Sequence, residues 1–464
     1  MLTYNFEKAD CPIYLFLYKS IKNDIISGNL KPDEKLPSKR TFAENNGIST
    51  ITIQNAYDQL ISEGYLYTLP KKGYFVANIS GLNTKHTNQA VNFDIKLPHK
   101  EEYKYDFSSN EINAENFPFS VWTRTSRDVL SNKKAELMQI SPASGTQELR
   151  SAIASHLQSF RGMMVDPNQI VIGAGTEFLY GFITELLGKD KIYSIENPGY
   201  KKLISIYKRQ NIECRYASID DYGVLVEELE RDQTDVAHIC PNHHYPTGTT
   251  MPASRRYEIL GWANKKEGRY IVEDDYDSEF RVEGKPIPTL FSIDGCEKVI
   301  YMNTFSKSLT PTIRISYMVL PVHLANKFYE KLGFYSCTVS NFEQYTLAKF
   351  IFEGFFEKHI NRMRVYYRKK RQNIIDIIEK SNLGKRCEIL ENDAGLHFLI
   401  KLDTKRTDEE IKSSLAKEGI KIQALSDYYF GEAGKKQNYF IINYSNLDEA
   451  QMKTATELIL KALD

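Results

Sequence analysis

The stretch Gln169–Gly188, QIVIGAGTEFLYGFITELLG, decides the fold class. A short apolar β-branched run meets glycines and gives way to a longer helical pattern, which is the strand, turn and helix of an α/β unit. The same alternation extends outward through KIYSIE (191–196), DVAHICP (235–241), RYIVEDDY (269–276) and KVIYMNTF (298–305). It predicts an α/β domain with a mostly parallel sheet over residues 105–464. Upstream, residues 79–104 turn polar with little periodicity and read as a linker. Residues 1–78 form a separate compact pattern ahead of it.

In that N-terminal pattern, Tyr14, Leu17, Ile21 and Ile25 recur at helical spacing, and Gly28 ends the helix. Ser38 caps a short second helix, Gly47 breaks it, and Ser49 caps a third whose Ile53, Tyr57 and Leu60 share one face. Helix, glycine-containing turn and helix is a helix-turn-helix signal. The third helix leaves Thr50, Thr52, Gln54 and Asn55 on its polar face, where a recognition helix meets base edges and phosphates. YLYTLPKKGYFVA (65–77) then reads as a two-stranded wing turning at Lys71, Lys72 and Gly73.

Charge neither supports nor excludes a nucleic-acid partner, because 60 basic residues balance 60 acidic ones over 464 positions. Locally, Lys39, Arg40, Lys71 and Lys72 fall together on the proposed DNA face, where phosphate contacts are needed. Six cysteines (Cys11, Cys214, Cys240, Cys296, Cys337 and Cys387) stand far apart with no CxxC pair. They read as reduced thiols of a cytoplasmic protein rather than as a zinc site or a disulfide framework. No signal peptide is legible, and no apolar run approaches the ~18 residues of a membrane span.

The chemistry concentrates around YMNTFSKSLTPTIRISYMVLP (301–321), where Lys307 follows a strand-like run and Arg314 lies seven residues on. Pyridoxal phosphate requires a lysine amine, a carboxylate for its pyridine nitrogen, a hydroxyl for its ring oxygen, and amide, hydroxyl and arginine donors for its phosphate. Lys307 supplies the amine and Tyr276 the ring hydroxyl. Gly175 and Thr176 open a helix whose N-terminus suits a phosphate, with Thr304, Ser306 and Arg314 as further donors. The residue types alone leave Asp274 and Asp275 both open as the carboxylate. His243 and His244 are adjacent in an extended segment, so they point to opposite faces and do not read as a metal pair. The basic run Arg362–Arg371 reads as a solvated helix face.

LPSKR (36–40), GISTITIQNAYDQLISEGYL (47–66) and KKGYFVA (71–77) together resemble the GntR-type winged helix-turn-helix. That resemblance implies DNA contacts by Ser38, Lys39, Arg40, Ser49, Thr52, Gln54, Lys72 and Gly73; the family usually carries Arg where Thr50 stands. Residues 105–464 resemble fold-type I aminotransferases in SPASGTQELRSAIASHL, ENPGYKK, PNHHYPTG, EDDYDSEFR, TFSKSLTPTIR and HINRMRVYYRKKR. The combination resembles the MocR/GabR subfamily of GntR regulators. It implies Tyr200 stacked on the cofactor ring, Asp274 at the ring nitrogen, His244 in the cofactor pocket in place of the family's Gln, and a homodimer. Two positions depart from that pattern: Ile441 stands where the substrate-carboxylate Arg belongs, and Lys202 where amino-acid sensors carry Arg.

These readings predict a transcription regulator acting on double-stranded operator DNA. Its aminotransferase-like domain would sense pyridoxal phosphate, or an amine or amino acid, and control vitamin B6 or amino-acid metabolism genes. The alternative is a catalytically active aminotransferase with a DNA-binding arm.

Overall fold

The computed structural model describes residues 4–6, 11–79, 95–97, 101–108, 113–280, 287–390, 395–431, 434–445 and 447–464. The chain divides into two compact units, Met1–His99 and Lys100–Asp464. Much of the expected linker, residues 80–94 and 98–100, lies outside the described residues.

The N-terminal unit opens with α1 (Ile13–Ser27), which buries Leu17, Tyr18, Ile21 and Ile25. Tyr14, expected on that face, is 37% exposed. Tyr18 takes the inner position, its hydroxyl 2.7 Å from Glu63 at the end of the third helix. α2 (Lys39–Asn46) starts where Ser38 Oγ accepts from the Thr41 amide, and it ends at Gly47 with φ 63°, a left-handed turn that a side chain would strain. α3 (Thr50–Ser62) is capped in the same way by Ser49. Ile53, Tyr57 and Leu60 of α3 are wholly buried, each contributing roughly 1.5–3 kcal/mol by leaving water. β1 (Leu66–Leu69) and β2 (Gly73–Val76) pair antiparallel as the wing.

In the second unit the strands before residue 320 are β3 (Tyr105–Asp106), β4 (Ile170–Gly173), β5 (Ile192–Asn197), β6 (Glu213–Asp220), β7 (Gly223–Val224), β8 (Val236–Ile239), β9 (Tyr270–Asp274), β10 (Val299–Thr304) and β11 (Ser316–Val319). The last eight form one sheet in the order β4-β11-β10-β9-β8-β5-β6-β7. Pairing is parallel from β10 through β9, β8 and β5 to β6, and antiparallel on both sides of β11 and at β7. Two antiparallel steps through β11 return β4 to the direction of β10. The carboxyl ends of β4, β5, β8, β9 and β10 therefore share one edge, where open α/β sheets bind ligands. Val236, Val272, Ile300, Met302 and Met318 of this sheet pack on Leu179, Ile183 and Leu186 of helix Thr176–Leu187.

Beyond residue 386 the apolar runs build a four-stranded antiparallel sheet, β12 (Cys387–Leu390), β13 (His397–Leu402), β15 (Gln423–Ala424) and β16 (Tyr439–Asn443), in the order β12-β13-β16-β15. β14 (Ile420–Lys421) pairs with β3. Helix Phe355–Lys380 carries the basic run, which is not the uniformly solvated face expected: Arg371 is buried, Arg364 Nε donates to the Glu279 carbonyl at 2.6 Å, and Lys370 Nζ to the Ser445 carbonyl at 2.9 Å. The stems of Arg364 and Lys370 are used as packing material that ends in a hydrogen bond.

Candidate functional site

Sheet topology brings the predicted cofactor residues to one place. A cavity of about 280 Å³ at the carboxyl edge is lined by Thr176, Tyr200, His244, Asp274, Tyr276, Thr304, Ser306, Lys307 and Arg314. Gly175 sits at its rim as the N-cap of helix Thr176–Leu187 with φ 95°. A Cβ at Gly175 would collide with the Arg314 guanidinium. Arg314 is itself held at φ 51°, a conformation that non-glycine residues rarely adopt. Glycine on one side and a constrained arginine on the other thus create a cationic niche at the amino-terminal end of a helix.

On the wall, Asp274 ends β9. Its Oδ2 accepts from Tyr180 Oη at 3.0 Å and lies 3.6 Å from His238 Nε2, while His238 Nδ1 is 2.7 Å from Tyr207 Oη. The other oxygen, Oδ1, is buried without a hydrogen-bond partner among the described residues. A buried acceptor in that state costs roughly 1–3 kcal/mol until a donor arrives. The choice that residue types left open is separated by position: Asp275 lies outside the lining and is consumed by Tyr301 Oη at 2.7 Å, Asn242 Nδ2 at 2.7 Å and the Arg161 guanidinium.

Lys307 lies on the short helix Phe305–Ser308, which follows β10 and is capped by Thr304 Oγ1 accepting from the Ser306 amide at 3.1 Å. Burial pushes its ammonium down to about 8, against the opposing pull of the Asp277 carboxylate. Tyr276 Oη is 3.2 Å from His243 Nδ1, which is 2.8 Å from Asp277 Oδ2. His243 therefore faces this carboxylate, whereas His244 faces Glu196 at 3.5 Å, on the other side as an extended segment requires. Burial lowers His244 to about 3 and raises Glu196 to about 8, which favours the neutral form of both at pH 7. No group of three metal-ligating side chains occurs among the described residues.

The donor set matches a phosphorylated pyridine aldehyde. Asp274 Oδ1 would suit a protonated ring nitrogen, Lys307 offers an amine depressed toward neutrality, and the Gly175–Arg314 niche would suit a dianion. At the mouth, Glu177 pairs with Lys202 and lies 3.8 Å from Arg314 Nη2. Ile441, 2% exposed, packs with Leu399, Leu425 and Tyr428, and Tyr245 of the cavity wall leans on that cluster. Sequence reasoning missed Tyr180, Glu196, His238 and Tyr245, all of which line the cavity. Only His238 carried a signal, as the polar residue of an otherwise apolar β8.

In the N-terminal unit, Ser38, Arg40, Ser49, Thr50, Gln54 and Lys72 are exposed, and Thr52 and Gly73 are half-buried. Lys39 Nζ lies 5.6 Å from the centre of the Tyr74 ring on the wing. The Ser49 and Thr52 hydroxyls bond each other at 2.8 Å, so both are partly committed to the cap. Ile51, unremarked in the sequence, is 70% exposed on the same helix.

The family of bacterial regulatory proteins named gntR matches residues 13–76, and the aminotransferase class I and II family matches residues 102–459. The HTH-type transcriptional regulator YdeL of Bacillus subtilis is 35% identical over 421 residues, covering 90% of each chain. The probable rhizopine catabolism regulatory protein MocR of Rhizobium meliloti is 29% identical across 96% of this chain and 92% of its own. The pyridoxine biosynthesis regulator PdxR of Corynebacterium glutamicum is 26% identical across 94% and 93%. Among solved structures, Pyrococcus horikoshii kynurenine aminotransferase superposes with a TM-score of 0.67 at 23% identity, covering 79% of this chain and 92% of its own. With a winged helix-turn-helix followed by an aminotransferase fold along its length, the chain belongs to the MocR/GabR subfamily of GntR transcription regulators.

Proposed function

We propose that this regulator binds pyridoxal phosphate on Lys307 and double-stranded operator DNA through α2, α3 and the wing, with the cofactor itself as the signal. The observation that carries the cofactor assignment is the buried, unpartnered Asp274 Oδ1 in the same cavity as Lys307 and the Gly175–Arg314 niche. When bound, the cofactor supplies an electron-withdrawing ring that acidifies bonds next to an attached amine. Asp274 would hold a proton on the ring nitrogen, Tyr276 would donate to the ring oxygen, Tyr200 would cover the ring, and His244 lines the pocket. Thr176, Thr304, Ser306 and Arg314 receive the phosphate. The buried apolar wall at Ile441 offers no guanidinium to a substrate carboxylate, which supports sensing over turnover. Productive transamination of an amino acid, the second reading, is favoured by the complete cofactor set; Lys202 at the mouth, paired with Glu177, stands where amino-acid sensors carry Arg and weighs against it.

Pyridoxal phosphate as effector also draws on the likeness to PdxR, a regulator named for pyridoxine biosynthesis. The DNA-binding unit implies work in the cytoplasm, where the chromosome lies. A homodimer is supported by Met138, Ile140 and Phe334, which are 73%, 84% and 78% exposed on loops joined by Cys337 N donating to the Ser141 carbonyl and Asn341 Nδ2 to the Gln139 carbonyl. The assignment is tested by borohydride treatment of protein mixed with pyridoxal phosphate, followed by peptide mass mapping. A stable mass increase on the Lys307 peptide, lost in Lys307→Ala, is expected; the adduct on another lysine would overturn it.

A further inference from the structure

The recognition helix carries no cation. α3 reads TITIQNAYDQLIS, and its one charged side chain, Asp58, lies eight residues from its start, about 12 Å along the axis at 1.5 Å per residue. Ile51, Gln54 and Asn55, spaced i, i+3 and i+4, share one exposed face, opposite the buried Ile53, Ala56, Tyr57 and Leu60. Cations stand instead on the neighbouring elements of this unit. Lys39 and Arg40 open α2, Lys71 and Lys72 form the wing turn, and Lys35 bridges to Phe75 of the wing. Charge is thus placed for phosphates, and the surface aimed at base edges is neutral.

The major-groove code gives that surface a meaning. Guanine presents two acceptors, best met by Arg or Lys, and cytosine a donor, best met by a carboxylate. Adenine presents an acceptor beside a donor, which the amide of Gln or Asn matches bidentately, and thymine adds a methyl group that apolar side chains contact. Resting on the DNA-binding reading above, we propose that α3 reads A·T pairs: Gln54 or Asn55 on adenine, and Ile51 with the Thr50 methyl on thymine C5-methyl groups. Each half-site then has an A·T core under α3, whatever flanks it.

The test is selection of duplexes from a random pool by the full-length protein, wild type and Gln54→Arg, with and without pyridoxal phosphate. Enrichment of A·T pairs is expected, with Gln54→Arg moving one of them to G·C by roughly tenfold in relative affinity, as a bidentate guanine contact would. Deoxyuridine in place of thymine, which removes only the methyl, should weaken wild type several-fold and leave the double variant Thr50→Ser, Ile51→Ala unaffected. A selected motif that is G·C at the pair Gln54→Arg alters would overturn the A·T assignment while leaving operator binding intact. Retention of no duplex in either cofactor state would end both.

Discussion

Lys307 differs from a surface lysine by its surroundings, and that difference has a measurable consequence. With its amine lowered to about 8 by burial, roughly a tenth of it is neutral at pH 7, against a fraction of a per cent for an unperturbed lysine. Only the neutral amine attacks an aldehyde. The rate of cofactor loading, followed by absorbance at the visible edge after mixing, should therefore rise about tenfold per pH unit well below 8 and level off above it. A rate still climbing steeply past pH 10 would mean that the cavity does not perturb this lysine. Spacing of Lys307, Arg314 and Gly175 made these residues legible in the sequence. The Tyr207–His238–Asp274 chain was not, because its members come from a helix and two strands whose adjacency exists only once the sheet is ordered.

At the scale of elements, the helix-turn-helix was readable because caps, glycine breaks and a four-residue apolar period all act locally. Tyr14 was misplaced because it lies one turn before Tyr18 on the same face, at the very start of α1, and periodicity does not say where along a face the packing ends; Tyr18 is buried, with its hydroxyl on Glu63. The C-terminal sheet escaped for the opposite reason: β15 spans only Gln423–Ala424, and its pairing with β16 is long-range. Two substitutions separate contact from folding in the DNA-binding unit. Arg40→Ala should flatten the slope of log affinity against log salt by about one unit, as for one lost phosphate contact, with folding unchanged. Leu60→Ala should destabilise that unit by about 2–5 kcal/mol in denaturant titration yet leave the Lys307 adduct intact. An unchanged salt slope for Arg40→Ala would remove it from the interface.

At the scale of the whole molecule, 60 basic residues balance 60 acidic ones, and a total of zero says nothing about DNA because phosphate contacts depend on the local placement of Lys39, Arg40, Lys71 and Lys72. For the proposed dimer through the exposed apolar loops around Ile140 and Phe334, light scattering at micromolar concentration should give a dimer that Ile140→Asp weakens. A monomeric wild type would contradict it. Signalling needs more than two binding sites on one chain. Pyridoxal phosphate shifts operator affinity only if it binds one arrangement of the protein more tightly than another, and the same factor then links the two affinities in both directions. Coupling of the usual size corresponds to about a 5- to 150-fold change. The direct test is the affinity of full-length protein for its selected operator in the apo form, loaded with pyridoxal phosphate, and loaded with candidate amines added. A change of at least about fivefold on loading alone is the result expected. Equal affinity of apo and loaded protein, with a change only when an amine is added, would contradict the cofactor as signal.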